Sequence, residues 1–376
     1  MSSSGALIPK AIFEQTLIGF FSPVRHYLEL DGISEVMING PNDIYIERKG
    51  CLEKIPARFS SQEELMSGLR NLAQYVGRPF DEERPILEAR LPDGSRVEAV
   101  MRPAASDGPY VSIRRFYREK LTPEKLISMG SMPPEAMMLL KALVACKQNM
   151  LIAGGTSSGK TSLLNVLSSF ASPEERIVVI EDAQELQLQL PHLVRMEAQP
   201  GDQKGRGKVT IRDLFKATLR MRPDRIVVGE IRGAEALDLV QAMTSGHGGS
   251  LSTIHASHAS DTTSRLETLA LMSDVDIPLH ALRPQIASAI EVIVHAARLK
   301  DGSRCITTIA EIIGYDHEKG YQIEDLYVRE YRNDERTGKM KTWLRPTGRK
   351  PRCMDQIEAM GLEMPDLDPR SVSPPP

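Results

Sequence analysis

The chain has few of the features that mark secreted, membrane-spanning or metal-binding proteins. Its four cysteines lie far apart, with no CxxC spacing and no paired histidines nearby, which argues against a zinc site and indicates reduced thiols of a cytosolic protein. No stretch reaches the roughly 18 to 20 apolar residues of a membrane span. The first residues also lack the layout of a signal peptide. We therefore expect a cytoplasmic protein.

An excess of charge of either sign is also missing. The 376 residues include 47 basic and 50 acidic ones, interspersed along the chain, for a formal net charge of −3. Such a chain has no overall field to attract nucleic acid, and it lacks patches in which aromatic and basic residues alternate. We expect no specific nucleic-acid partner. Contact with a membrane would run through a partner protein or the membrane surface.

The length is sufficient for two domains, and the patterns divide the chain accordingly. Residues 1–116 predict an α+β domain with a β-hairpin, one central helix and three short strands. Its opening amphipathic segment, from Ile12 to Leu30, packs either on its own domain or on a membrane. Residues 117–134, rich in proline and charge, predict a linker with one short helix. Residues 135–376 alternate apolar strands with helices, which is typical of an α/β domain, and end in a charged tail whose last residues, SVSPPP, we expect to be frayed.

A glycine-rich segment, GGTSSGKTS, separates an apolar strand from a helix. It fits the P-loop pattern GxxxxGK[ST] in the context that this motif requires. Glycines let the backbone close around phosphate, the lysine reaches the β- and γ-phosphates, and the threonine hydroxyl binds Mg²⁺. The alternative is a glycine-rich turn with an incidental lysine. The predicted Mg-ATP-binding residues are Gly154, Gly155, Thr156, Ser157, Ser158, Gly159, Lys160, Thr161 and Ser162.

Two further strands end in carboxylates. Glu230 closes RIVVGE, at the sheet edge where ligands of doubly wound folds collect, and this position suits polarisation of an attacking water. Gly229 occupies the place where P-loop enzymes usually carry a metal-binding aspartate. Glu181 and Asp182, after RIVVIE, would fill that gap, although such a pair is also typical of a helix cap or a solvated turn.

Histidines and arginines surround these acidic strands. His247 and His255 flank a glycine-rich turn and an apolar strand, where a lone histidine would more often be structural. Phosphoryl transfer needs cations against developing charge, and arginine fingers often come from another domain or subunit. Without the P-loop these arginines would be read as partners in surface ion pairs. The candidate arginines are Arg114, Arg115, Arg195, Arg212, Arg220, Arg222 and Arg232.

Four motifs in this order resemble the traffic ATPases of type II and type IV secretion, in particular the CpaF/TadA branch that powers Flp-type pilus assembly. They are the P-loop, VVIEDAQEL from Val178, MRPDRIVVGEIRG from Met221 and SGHGGSLSTIHA from Ser245. In the N-terminal region VMINGPNDIYIERKG, EARLPDGSRVEAV and GPYVSIRRF resemble the same branch. The similarity covers nearly the whole chain. Its P-loop departs from the family at Ser157, where glycine is usual.

This resemblance implies a PAS-like N-terminal domain and a RecA-like P-loop domain with a mostly parallel sheet, six copies in a ring, and ATP between the domains. It implies partners in an inner-membrane pilus or secretion platform, at its cytoplasmic face. Glu230 would be the catalytic glutamate, Glu181 would lie near the Mg²⁺ with Thr161, and His255 would couple nucleotide state to shape. Lys160 would bind phosphate. The cationic partners would be Arg114 or Arg115, with Arg195 and Arg212.

Three other functions remain open on these residues. A conjugative type IV secretion ATPase shares every motif and differs in its partners. An ATP-binding scaffold would keep the fold and turn over slowly, as Ser157 would permit. A RecA-like nucleic-acid motor would be stimulated by DNA, which the near-neutral charge disfavours.

Overall fold

The computed structural model describes residues 19–48, 50–116, 121–199, 201, 206–333 and 340–372. The chain divides into two compact units, Met1–Glu119 and Lys120–Pro376. The start of the amphipathic segment predicted from Ile12, and the last four residues of the predicted frayed end, lie outside the described residues.

In its described residues the first unit is a six-stranded antiparallel sheet with two helices. Its strands lie in the order β3-β2-β1-β6-β5-β4. The elements are α1 (Ser22–Glu29), β1 (Ile33–Asn39), β2 (Ile44–Arg48), β3 (Cys51–Ile55), α2 (Gln62–Tyr75), β4 (Ile86–Arg90), β5 (Arg96–Val100) and β6 (Tyr110–Arg114).

The two helices in the described part of this unit pack on the sheet. Helix α1 buries Val24 and Leu28 in the same core as the strands. The described part of the amphipathic segment therefore packs on its own unit. Helix α2 begins at Ser61, whose Oγ accepts a hydrogen bond from the backbone N–H of Glu64 and so satisfies one free donor of the first turn.

The second unit surrounds a nine-stranded sheet. Its helices are α3 (Pro123–Ser128), α4 (Pro134–Ala145), α5 (Lys160–Ser168), α6 (Ile211–Thr218), α7 (Glu235–Thr244), α8 (Asp261–Ala270), α9 (Leu279–Ala289) and α10 (Met354–Ala359), with a 3₁₀ turn at Pro369–Ser371. Its strands are β7 (Met150–Gly154), β8 (Ile177–Glu181), β9 (Leu193–Glu197), β10 (Arg225–Ile231), β11 (Leu251–His255), β12 (Val292–Arg298), β13 (Arg304–Asp316), β14 (Gly320–Asn333) and β15 (Met340–Pro346).

The sheet order is β15-β14-β13-β12-β7-β11-β10-β8-β9. The six strands from β12 to β9 run parallel, and β13, β14 and β15 continue the sheet antiparallel. Alternate residues of β7 enter different cores: Ile152 faces the core of α4 and α5, whereas Leu151 faces the core of α6 to α9. Burial on both faces explains the unbroken apolar runs. The predicted α/β fold class is confirmed.

Two segments are more ordered than their composition indicates. Within the stretch predicted as a linker, Leu126 and Met132 are buried in the core of the second unit. The charged region after Tyr315 is not a loose tail, because β14 buries Leu326 and Tyr327 in that core and α10 adds Ile357. Among the described residues no helix has both the length and the apolar content needed to cross a bilayer.

Candidate active site

The predicted site residues meet at the carboxyl edge of the parallel strands. Strand β7 leads into the P-loop, residues 154–161, and its last residue, Gly154, pairs with His255 at the end of the neighbouring strand β11. Strand β10 lies on the other side of β11 and ends with Glu230 and Ile231. Because these ends are adjacent, groups far apart in sequence come together here.

Two glycines of the P-loop have backbone conformations that other residues rarely adopt. Gly154 has φ +156°, and a β-carbon there would lie 2.2 Å from the carbonyl oxygen of Ala296. Gly159 has φ +96° and forms the N-cap of α5, so Lys160 begins the helix. The loop thus has the form that the motif predicts, a tight backbone turn ending at a helix N-terminus.

Lys160, His255 and Glu230 form a connected cluster. The Nζ of Lys160 donates to the carbonyl oxygen of Gly155 at 2.9 Å and lies 3.4 Å from Nε2 of His255. The same Nε2 lies 2.8 Å from Oε1 of Glu230. Since one ring nitrogen cannot accept from the lysine and donate to the carboxylate at the same moment, the tautomer of His255 decides which neighbour it binds.

The charge state of His255 follows from its surroundings. Burial lowers its pKa below the ordinary histidine value, the positive charge of Lys160 lowers it further, and Glu230 opposes both. The ring is therefore neutral at neutral pH and has one N–H to place. A neutral ring suits a residue that alternates between a cation and a carboxylate.

A bulge in β10 positions Glu230. Val228 pairs with Ser252 and Ile231 with Ile254, so β10 holds one more residue than β11 over this stretch. The carbonyl oxygen of Gly229, within the bulge, accepts a hydrogen bond from Oγ1 of Thr253 at 2.7 Å. Bulges re-aim side chains at strand ends. No break in the pattern of apolar and polar residues of β10 would have revealed this bulge from the sequence.

Glu181 occupies the space that glycine leaves at position 229. A β-carbon on Gly229 would lie 3.1 Å from Cγ of Glu181. The Glu181 side chain is buried, and its Oε1 accepts from the backbone N–H groups of Glu185 and Leu186 at 2.8 and 2.9 Å. The Glu181 carboxylate thus lies next to position 229, where P-loop enzymes usually carry a metal-binding aspartate. Thr161 lies in the first turn of α5, as expected of a Mg²⁺ ligand.

Arg232 is one of the seven candidate arginines, and the structure gives it a distinct place. Its two terminal nitrogens reach Oε2 of Glu230 at 2.8 Å and Oδ2 of Asp182 at 3.0 Å. The guanidinium thus joins the two acidic strand ends. The sequence signal available for Arg232 was its closeness to Glu230, which it follows by two residues just after the end of β10.

Of the four arginines proposed as cationic partners, the two in the second unit, Arg195 and Arg212, do not join this cluster within the described residues. Arg195 donates to the carbonyl oxygen of Leu188, and Arg212 pairs with Asp238 and Asp274. In the first unit Arg115 donates to the backbone carbonyls of Leu30 and Ile33, whereas Arg114 is exposed. These contacts make Arg114 the freer of that pair. Their roles toward nucleotide stay predictions.

A residue that sequence reasoning missed touches the P-loop directly. Arg304, at the start of β13, donates from Nε to the carbonyl oxygen of Ser157 at 2.9 Å. Nothing in its sequence surroundings, DGSRC, pointed to the P-loop, because the contact spans 147 positions.

The P-loop fits a nucleotide phosphate. The Oγ of Ser158 is buried without a hydrogen-bond partner among the described residues, and Lys160 rests on a carbonyl oxygen of the loop itself. Both groups would be better satisfied by phosphate oxygens. In the described ranges no group of three or more His, Cys, Asp or Glu side chains is arranged to hold a metal ion. A Mg²⁺ ion here would share its ligands with the nucleotide.

Comparison with known proteins agrees with these motifs. Residues 21–340 match the family model of the type II/IV secretion system proteins. The conjugal transfer protein TrbB of Rhizobium radiobacter is 31% identical over 297 residues, which cover 78% of this chain and 87% of TrbB. The type IV secretion system protein PtlH of Bordetella pertussis is 31% identical over 311 residues, which cover 76% of this chain and 91% of PtlH.

The solved structure of the pilus retraction motor PilT with bound ADP has a TM-score of 0.53 and covers 90% of this chain and 85% of that one. At 17% identity it supports the fold alone. The resemblance to type II and type IV secretion ATPases is thus confirmed at the level of the superfamily, and the CpaF/TadA branch stays a prediction. This chain belongs to the family of type II/IV secretion system proteins.

Proposed function

We propose that this protein hydrolyses Mg-ATP, as a ring of six copies, to drive a secretion or pilus-assembly machine. The observation that supports the proposal best is the position of His255, whose Nε2 lies between Nζ of Lys160 and Oε1 of Glu230. A phosphate-binding cation and a carboxylate suited to orient water are thereby joined through one neutral ring.

The residues have separate tasks in this proposal. The P-loop backbone and Lys160 would hold the phosphates, and Thr161 with Glu181 would hold Mg²⁺, directly or through water. Bound Mg-ATP would supply the phosphoryl group and a metal ion that offsets its charge. Glu230, aimed by the bulge in β10, would orient the attacking water.

The hydrogen-bond partner of His255 would depend on whether the P-loop binds phosphate. When Lys160 turns to a phosphate, Nε2 of His255 loses its cationic neighbour and is free to donate to Glu230. The carboxylate, already bound by Arg232 through Oε2, would then gain a second hydrogen bond, at Oε1, only while phosphate is bound. This arrangement couples nucleotide state to the strand ends of β10 and β11, where a change would pass to the rest of the ring.

Two kinds of machine fit. The branch resemblance favours assembly of Flp-type pili, whereas the names of TrbB and PtlH favour conjugal transfer or another type IV secretion system. In either case we expect inner-membrane platform proteins as partners, bound at the cytoplasmic face. We expect no stimulation by DNA, since the chain carries no excess of positive charge.

The proposal is tested by steady-state ATP hydrolysis over a series of protein concentrations, with mass measured by light scattering. Activity should rise cooperatively as a species of about six chains forms, and Lys160→Ala should abolish it. Lys141→Ala is the matched control, because this lysine is exposed on α4. Binding of ATP without turnover at any concentration would instead favour the slow scaffold.

A further inference from the structure

We propose that Arg304 is a positioning residue of the P-loop, and that it holds Ser157 in a backbone conformation that serine does not favour. The inference rests on the proposed nucleotide site. It concerns how this chain keeps its P-loop in the phosphate-binding form although it lacks a glycine at position 157.

Ser157 has φ +57°, in the left-handed region. Only two other non-glycine residues described in the structure have a positive φ, Lys147 and Arg222. A β-carbon makes this conformation unfavourable, whereas glycine adopts it freely. The loop therefore needs an interaction that keeps residue 157 in place.

Arg304 supplies that interaction at two points. Its Nε donates to the carbonyl oxygen of Ser157 at 2.9 Å. The aliphatic part of the same side chain lies against the last turn of the loop, since a β-carbon on Gly159 would be 3.5 Å from Cδ of Arg304. The side chain thus spans the two residues on either side of Ser158, whose hydroxyl is buried in the loop.

The support is anchored to the sheet, so it is stiff. Arg304 pairs with Arg298 in the β12–β13 ladder, and two residues before Arg298 the same strand pairs Ala296 with Gly154. The backbone carbonyl of Arg304 also accepts a hydrogen bond from Oγ of Ser131 at 2.9 Å. Through Arg304 the P-loop is tied both to the neighbouring strands and to the segment that follows α3.

Loss of the Arg304 side chain should lower nucleotide affinity rather than slow the hydrolytic step. Without Arg304 the loop would sample other conformations of Ser157, and only the competent fraction would bind phosphate. The Michaelis constant should therefore rise while kcat changes little. Glycine at position 157 would remove the need for the support, so the two residues should be energetically coupled.

The test is a double-mutant cycle on ADP affinity, measured by titration calorimetry and therefore independent of turnover. Arg304→Ala should weaken ADP binding roughly tenfold, as expected for loss of a hydrogen bond from a charged donor. In the Ser157→Gly background the same change should weaken it by about twofold or less. Arg304→Lys should give an intermediate loss, and Lys300→Ala, an exposed cation on the adjoining turn, should match the wild type.

A second measurement needs no nucleotide. Amide hydrogen exchange at residues 155–160 of the nucleotide-free protein should be faster in Arg304→Ala than in the wild type. In Arg304→Lys the exchange should be slower than in Arg304→Ala. Equal losses of ADP affinity in the wild-type and the Ser157→Gly backgrounds would overturn the inference, as would unchanged exchange. If the wild type bound no ADP, the proposed nucleotide site would fail, and the exchange measurement would still decide the role of Arg304.

Discussion

Strand β10 carries a charged residue near each end, and the two lie in very different surroundings. At the amino end Arg225 is 1% exposed and gives every side-chain nitrogen to a partner: the Glu175 carboxylate and the carbonyl oxygens of Gly249 and Val144. A β-carbon on Gly249 would lie 2.6 Å from the guanidinium, so the pocket is shaped around it.

At the carboxyl end the groups share Glu230 as a partner, and the two that surround this half-buried carboxylate are open to solvent. Arg232 has a side chain that is 54% exposed, and that of His255 is 42% exposed. Each of these residues contacts Glu230, and no contact is enclosed as at the amino end. Removing one member of a buried, fully paired set leaves the other charge buried without its partner and so destabilises the structure, whereas exposed charges that can exchange partners remain available to a ligand. The amino end of β10 thus contributes to stability, whereas its carboxyl end is available to bind a ligand.

The largest stability effect should come from the amino end. Arg225→Met would leave the Glu175 carboxylate with the half-exposed Lys147 and the backbone N–H of Ser172 as partners, so we expect a loss of about 3 kcal/mol in the free energy of unfolding. Arg232→Met is the matched change at the other end and should cost about 1 kcal/mol or less, because Arg232 itself and its partner Asp182 are more than half exposed. Denaturant unfolding measures both. Equal losses would contradict the distinction between the two ends.

A smaller effect, on activity, should follow from filling the space beside the bulge. In Gly229→Ala the new β-carbon would press on Glu181, displacing the carboxylate proposed for Mg²⁺, and turnover should fall roughly tenfold. Gly314→Ala serves as the control, because a β-carbon there meets no atom within 4 Å. ATP hydrolysis at saturating nucleotide is the measurement. A Gly229→Ala enzyme with normal turnover would show that Glu181 is not needed where it lies.

The smallest effect concerns pH. Because the folded protein lowers the pKa of His255, the unfolded chain binds more protons below about pH 6.5, the ordinary value, and stability should fall as the pH drops through that value. Removing the cation in Lys160→Ala should raise the His255 pKa, and removing the carboxylate in Glu230→Gln should lower it further. Histidine NMR titrations would show these shifts. Opposite signs would mean that His255 does not lie between the two charges.

The sequence predicted the parts of the site that local patterns encode. The P-loop is recognised by its spacing between strand and helix, and Glu230 by its place at a strand end. The bulge at Gly229 and the reach of Arg304 depend on pairing between strands distant in sequence, which no local pattern records.

The prediction of the fold was limited in the same way, because local patterns do not record pairing between distant strands. The buried parallel strands were predicted because their apolar runs are continuous, as in Met150–Gly154. Strand β14 was not, since its few buried residues lie among charged ones and it forms a strand by pairing with β13 and β15. The roles of Arg195 and Arg212 as cationic partners were implied by the family resemblance and stay predictions; in this structure their side chains contact Leu188 and Asp238.

The most direct test of the account compares Glu230→Gln with Glu318→Gln, a change of the same charge on an exposed turn, for ATP binding and hydrolysis in the same preparation. We expect Glu230→Gln to bind ATP as the wild type does while turnover falls by about a hundredfold or more, and Glu318→Gln to behave as the wild type. Hydrolysis by Glu230→Gln at the wild-type rate would contradict the central claim, that the open end of β10 is the catalytic one.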